Sequence, residues 1–139
     1  MKRYLEVARN VDSDFALGVS VYYRAMSELE KIDPQESVRS VNPTIFDESL
    51  RHLDAALRGV NEMIGMIPGA SDYRAVVEMR LKAGIRNAEA FRAAVSQIGE
   101  AVKASRYPTS GACIAAMSAL QDLTAQAKLN AQGHQTEGL

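Results

Sequence analysis

The chain has 139 residues, 47% apolar and 6% aromatic, with 16 Lys and Arg against 17 Asp and Glu and a net charge of −1. This balance excludes a charge-driven disordered chain and a polycation that holds nucleic acid by bulk charge, while the length suits one buried core. A single cysteine excludes an intramolecular disulfide framework and a multi-cysteine zinc site.

The opening MKRYLEVARN carries two cations, but Glu6, Arg9, Asp12 and Asp14 interrupt any apolar run. No secretory leader or membrane span is expected, and a reducing cytoplasm is the expected compartment. Pro34, Pro43, Pro68 and Pro108 punctuate the chain, none of them inside an apolar-periodic run.

In the first segment Leu5, Ala8, Val11, Phe15, Val19, Tyr22, Met26 and Leu29 follow one another at steps of three and four. This spacing predicts one helix over residues 3–31. Asp12-Ser13-Asp14 is its weak point, because these residues favour caps over helix interiors, and a break there is the second choice. Residues 32–43 are polar and bracketed by two prolines, and read as the longest connection.

The second helix is predicted to start at Asn42 or Thr44, with Pro43 at a first-turn position and Thr44-Ile45-Phe46-Asp47 in the form of a capping box. Phe46, Leu50, Leu53, Leu57, Val60, Ile64 and Ile67 form its apolar face, and Pro68-Gly69 stops it. The third is predicted from Ser71 to about Arg106. Its seam is Tyr73, Val77, Leu81, Gly84, Ala88, Phe91, Val95, Ile98, Val102 and Ser105, with kinks possible at Gly84 and Gly99. The fourth follows Tyr107-Pro108-Thr109 and is predicted to run to Ala131, with Ile114, Met117, Leu120, Leu123 and Ala127 on its face and a fraying tail over 132–139. Since 15 of the 21 alanines lie in residues 71–139, the C-terminal pair of helices is expected to pack more closely than the N-terminal pair.

The expected fold is all-α: one four-helix bundle over residues 1–131, mostly antiparallel, with long first and third helices. At 1.5 Å per residue the third helix spans about 52 Å and the second and fourth about 35 Å. That mismatch predicts wet seam residues at one end, Ile98 and Val102 or Tyr73 and Val77, and hence a homodimer or another partner.

Catalytic constellations are thin. Glu48 lies four residues before His52 on one helical face, the spacing of an acid–base pair or half a metal site, but no second ligand motif follows. Cys113 falls in the first turn of the fourth helix, where free amides lower a thiol pKa, yet Ala112, Ile114 and Ala115 around it suit a small buried residue. Gly111 after Pro-Thr-Ser is a weak phosphate-cradle signal, without a Walker or dinucleotide pattern. No catalytic residue, metal ligand or cofactor is assigned.

Two surface readings remain. In the third helix Arg74, Arg80, Lys82, Arg86, Arg92, Lys103 and Arg106 outnumber four acids, so Arg74, Lys82, Arg86, Arg92 and Lys103 could track a nucleic-acid backbone. Interleaved acids and few aromatics favour a solvated face instead. Met79 and Ile85 project from the charged side, and with Arg86, Tyr23, Met63 and Met66 form the candidate protein-binding set. The function expected is a non-enzymatic protein-interaction module; the alternatives are a helical subunit of a nucleic-acid complex and a small enzyme or ligand binder using His52, Glu48 or Cys113.

Overall fold

The computed structural model describes residues 2–38, 41–67 and 72–120, with side chains from residue 3 and, in the third helix, from residue 75. Four helices follow in order: α1 (Lys2–Glu30), α2 (Thr44–Met66), α3 (Asp72–Lys103) and α4 (Ser110–Ser118). The fold is an all-α bundle. The expectations for Tyr73, Arg74, Leu123, Ala127, His134 and the tail over 132–139 lie outside the described residues.

α1 and α2 form the most extensive pair and run antiparallel. Arg3 meets Glu62 at one end and Arg24 meets Glu48 at the other, at 2.9 and 2.6 Å. Close approach comes from residues without bulk. A Cβ on Gly18 would stand 2.8 Å from Leu53 Cγ, one on Gly59 would stand 2.5 Å from Val11 Cγ2, and Ser49 Oγ donates to the Gly18 carbonyl at 2.7 Å. Among the described residues α3 and α4 make far fewer contacts than α1 and α2. Two glycines and a serine set the nearest backbones of the described pairs, while the alanines beyond residue 120, on which the expectation for the C-terminal pair partly rests, lie outside the described residues.

α1 is continuous through Asp12-Ser13-Asp14. Val11 and Phe15 on either side are buried, Val11 against α2 at Gly59 and Phe15 with its ring 6.5 Å from Phe91. Tertiary packing of the apolar face outweighs the weak local preference of three short polar residues. α3 is likewise continuous through Gly84 and Gly99. It closes three residues before the expected Arg106. Ser105 takes a left-handed conformation at φ 55°, Arg106 N–H bonds back to the Ala101 carbonyl and Ser105 N–H to the Val102 carbonyl. This is a Schellman ending with serine in the place glycine usually holds.

The expected wet seam is corrected. Val77, Ile98 and Val102 are all buried in the single chain. α2 is the main neighbour of α3, and α1 reaches it through the Phe15 and Tyr22 rings on Phe91. At the far end the α1–α2 connection closes over α3, where Val38, Val41 and Pro43 stand around Val102 and Lys103. The overhang argument for a dimer is thereby removed.

α4 is anchored by the same connection. Ser110 N–H donates to the Glu36 carbonyl at 2.7 Å, Gly111 N–H to Pro34 at 3.1 Å, and Ser110 Oγ to Asp33 at 2.8 Å. Cys113 and Met117 face the core, with Ile114 and Leu120 packed at its margin. The Tyr22 hydroxyl donates to the Met117 carbonyl at 2.7 Å.

Glycine positions separate two outcomes. Gly65 has open space where a Cβ would go, so Gly65→Ala is expected to stabilise by about 0.5–1 kcal/mol through helix propensity. At Gly99 a Cβ would lie 2.9 Å from Phe46 Cβ, an atom fixed to the α2 backbone, so Gly99→Ala is expected to destabilise by about 1–3 kcal/mol. Denaturant titration of the two variants should give opposite signs; the same sign for both would contradict this packing.

Candidate functional site

No hydrogen bond or ion pair joins Glu48 to His52. Glu48 is engaged by Arg24 of α1 at 2.6 Å, and Asp54 by Arg92 of α3 at 2.9 Å. His52 and Asp54, two residues apart, point to different sides of α2, as helical spacing requires. His52 is half-buried and has no hydrogen bond or ion pair with a described residue. Among the described residues no group of three or more His, Cys, Asp or Glu could hold a metal ion.

Cys113 sits in the first turn of α4, as the sequence suggests, but the electrostatics of that turn are already used. The Ser110, Gly111, Ala112 and Cys113 amides donate to the Glu36 carbonyl, the Pro34 carbonyl, Thr109 Oγ1 and the Thr109 carbonyl. No free amide cluster is left there for a phosphate or a thiolate. Burial pushes the Cys113 thiol up to about 11 from an ordinary 9.0, and burial also raises the phenol of Tyr22. The folded chain holds the Cys113 proton at pH values where the unfolded chain has released it. Stability from this group is therefore full below about pH 9 and falls as pH rises toward about 11. Thiol labelling of the folded chain at neutral pH is expected to be far slower than in denaturant. Equal rates would contradict the buried placement.

The candidate contact residues divide sharply. Met79 is 63% exposed and Tyr23 38%, with Tyr23 stacked edge-on against Tyr22 at 5.6 Å. Arg86 is exposed and makes no ion pair with a described residue. Three expectations are corrected. Ile85 is buried, because the core-facing arc of α3 widens toward α2 beyond the narrow seam read from the sequence. Met63 is fully buried in the core, and Met66 is half-buried and packed against it. The sequence reading missed Val76, 40% exposed, and Leu17, 45% exposed. For Val76 the signal was present: it precedes the seam residue Val77 by one position, which turns it about 100° out of the core.

The basic residues of α3 are mostly engaged. Lys82 pairs with Glu78 at 2.9 Å, Arg92 with Asp54 at 2.9 Å, and Lys103 with Asp47 at 2.8 Å and Glu100 at 3.7 Å. The Asp47 hydrogen bond raises the pKa of Lys103. Arg74 lies outside the described side chains.

Ala75, Glu78, Met79, Lys82 and Arg86 line a shallow open depression of about 390 Å³ on the outer side of α3. The placement combines an exposed thioether, a neighbouring exposed valine and a guanidinium in no ion pair with a described residue. No described helix is long and apolar enough to cross a membrane. No known protein family, curated protein or solved structure matches this chain.

Proposed function

We propose that this chain is a non-enzymatic protein-interaction module of the cytoplasm that binds through the outer face of α3, around Met79, Val76 and Arg86. The observation that carries the reading is the exposure of Met79 and Val76, one turn apart, beside a cation that no described carboxylate neutralises. Apolar side chains clustered on an outer face, rimmed by charge, are the usual composition of a contact surface.

Two alternatives have less support. A nucleic-acid surface needs a run of cations free to meet phosphates, and Lys82, Arg92 and Lys103 each face a carboxylate. A small enzyme built on His52, Glu48 or Cys113 lacks a partnered base and an ionised thiol.

The test compares two variants in the native host. Val76→Lys with Met79→Lys is expected to melt as wild type does, since both positions are exposed, and to lose the complex that wild type forms. His52→Ala is expected to keep the complex and the biological activity. Activity lost in His52→Ala at unchanged helicity and melting temperature would overturn the reading in favour of the enzymatic one.

A further inference from the structure

Resting on that reading of α3 as a contact surface, the structure assigns its occupant: we propose a second copy of this chain, paired antiparallel along the outer face of α3. Met79, Lys82, Arg86, Glu89, Ala93 and Ser96 recur at steps of three, four, three, four and three. Met79, Lys82, Arg86 and Ala93 lie on the side of α3 away from the buried Val77, Phe91 and Val95, Glu89 and Ser96 turn toward its flank, and all but half-buried Ser96 are exposed. This is a second heptad-like seam, separate from the one that faces the core.

The charges on this seam complement themselves. Arg86 and Glu89 are opposite in sign, and neither is in an ion pair with a described residue. A two-fold axis between positions 87 and 88 brings Arg86 of each copy to Glu89 of the other, because in an isologous contact residue i meets j and j meets i. The same operation maps the whole seam onto itself. Met79 falls opposite Ser96 and Lys82 opposite Ala93, so no like charges are placed face to face. Lys82 keeps Glu78 as its own partner at 2.9 Å. Small side chains at Ala90 and Ala93, both exposed, let the two backbones come near beside the axis, and Met79 packs at each end of the seam opposite Ser96. Nucleic acid fits this face less well, since a phosphate chain would meet Glu89 along the seam and Lys82 is already paired with Glu78.

The experiment is light scattering after size exclusion of the full chain, over roughly 5–200 μM. Wild type is expected at twice the 15.1 kDa chain mass. Arg86→Glu and Glu89→Arg are each expected to weaken the dimer roughly tenfold, because each reversal places like charges together at both symmetric pairs. The double variant Arg86→Glu/Glu89→Arg is expected to regain wild-type affinity, since the swapped pair re-forms. A clean 15.1 kDa species for wild type overturns the second copy. So does a dimer that the single reversals leave unchanged, or one that the double reversal fails to restore. Circular dichroism of each variant separates loss of pairing from loss of fold. A monomer that still binds a different protein through Met79 would refute this pairing and leave the interaction reading standing.

Discussion

Phe91→Ala is expected to lower the free energy of unfolding by about 3–5 kcal/mol, the range for removing a fully buried aromatic ring. Phe91 sits at the middle of α3 with no exposed surface. Its ring meets two rings of α1 edge-on, Phe15 at 6.5 Å and Tyr22 at 5.3 Å. Those two contacts tie α3 to α1, and edge-to-face pairs add to the area term. Tyr22 in turn donates its hydroxyl to the Met117 carbonyl of α4, so loss of the Phe91 ring also loosens the wall on which that hydrogen bond is set. Urea titration followed by circular dichroism measures the change. A loss under about 0.5 kcal/mol would show that the ring is not at the centre of the core.

Leu53→Ala is expected to cost about 2–5 kcal/mol, and its partner across the α1–α2 interface makes the result more specific. Leu53 Cγ and Cδ2 stand where a Cβ on Gly18 would come within 2.8 Å. Gly18→Ala alone is therefore expected to destabilise by about 1–3 kcal/mol through overpacking. In the Leu53→Ala background the clashing leucine atoms are gone and only the backbone nitrogen of position 53, at 3.3 Å, stays close, so Gly18→Ala is expected to cost much less there. The double-mutant cycle should show coupling above about 1 kcal/mol. Additive effects would mean that the two residues are not in contact.

The helical architecture was legible in the sequence because the three- and four-residue spacing of apolar positions is dense and long, and the prolines lie between the helices. Thr109 is the N-cap of α4, whereas the N-cap of α2 is Pro43, which carries no side-chain cap, rather than Asn42 or Thr44. Asn42 Oδ1 accepts from Thr44 N–H at 3.1 Å and Thr109 Oγ1 from Ala112 N–H at 3.2 Å. What periodicity cannot give is the width of the buried arc. Ile85 and Met63 lie at its edges, where a single seam drawn through Val77 and Phe91 or Leu53 and Val60 assigns them outward. Pairing is also invisible to a one-helix reading. α3 was compared with its neighbours by helix length alone, while its end is covered by the α1–α2 connection, where Val38, Val41 and Pro43 stand around Val102. Salt bridges follow the same logic. Arg92 and Lys103 read as free cations until α2 brings Asp54 and Asp47 beside them.

The most direct measurement of the interaction reading is site-specific photo-crosslinking in the native host, with the photoreactive side chain at position 79 and a control at the exposed position 51 of α2. The expected result is a discrete adduct from position 79, to a second copy or to another protein, that disappears when Val76 is changed to Lys and is absent from position 51. Equal, diffuse labelling from both positions, or an adduct to nucleic acid, would contradict it.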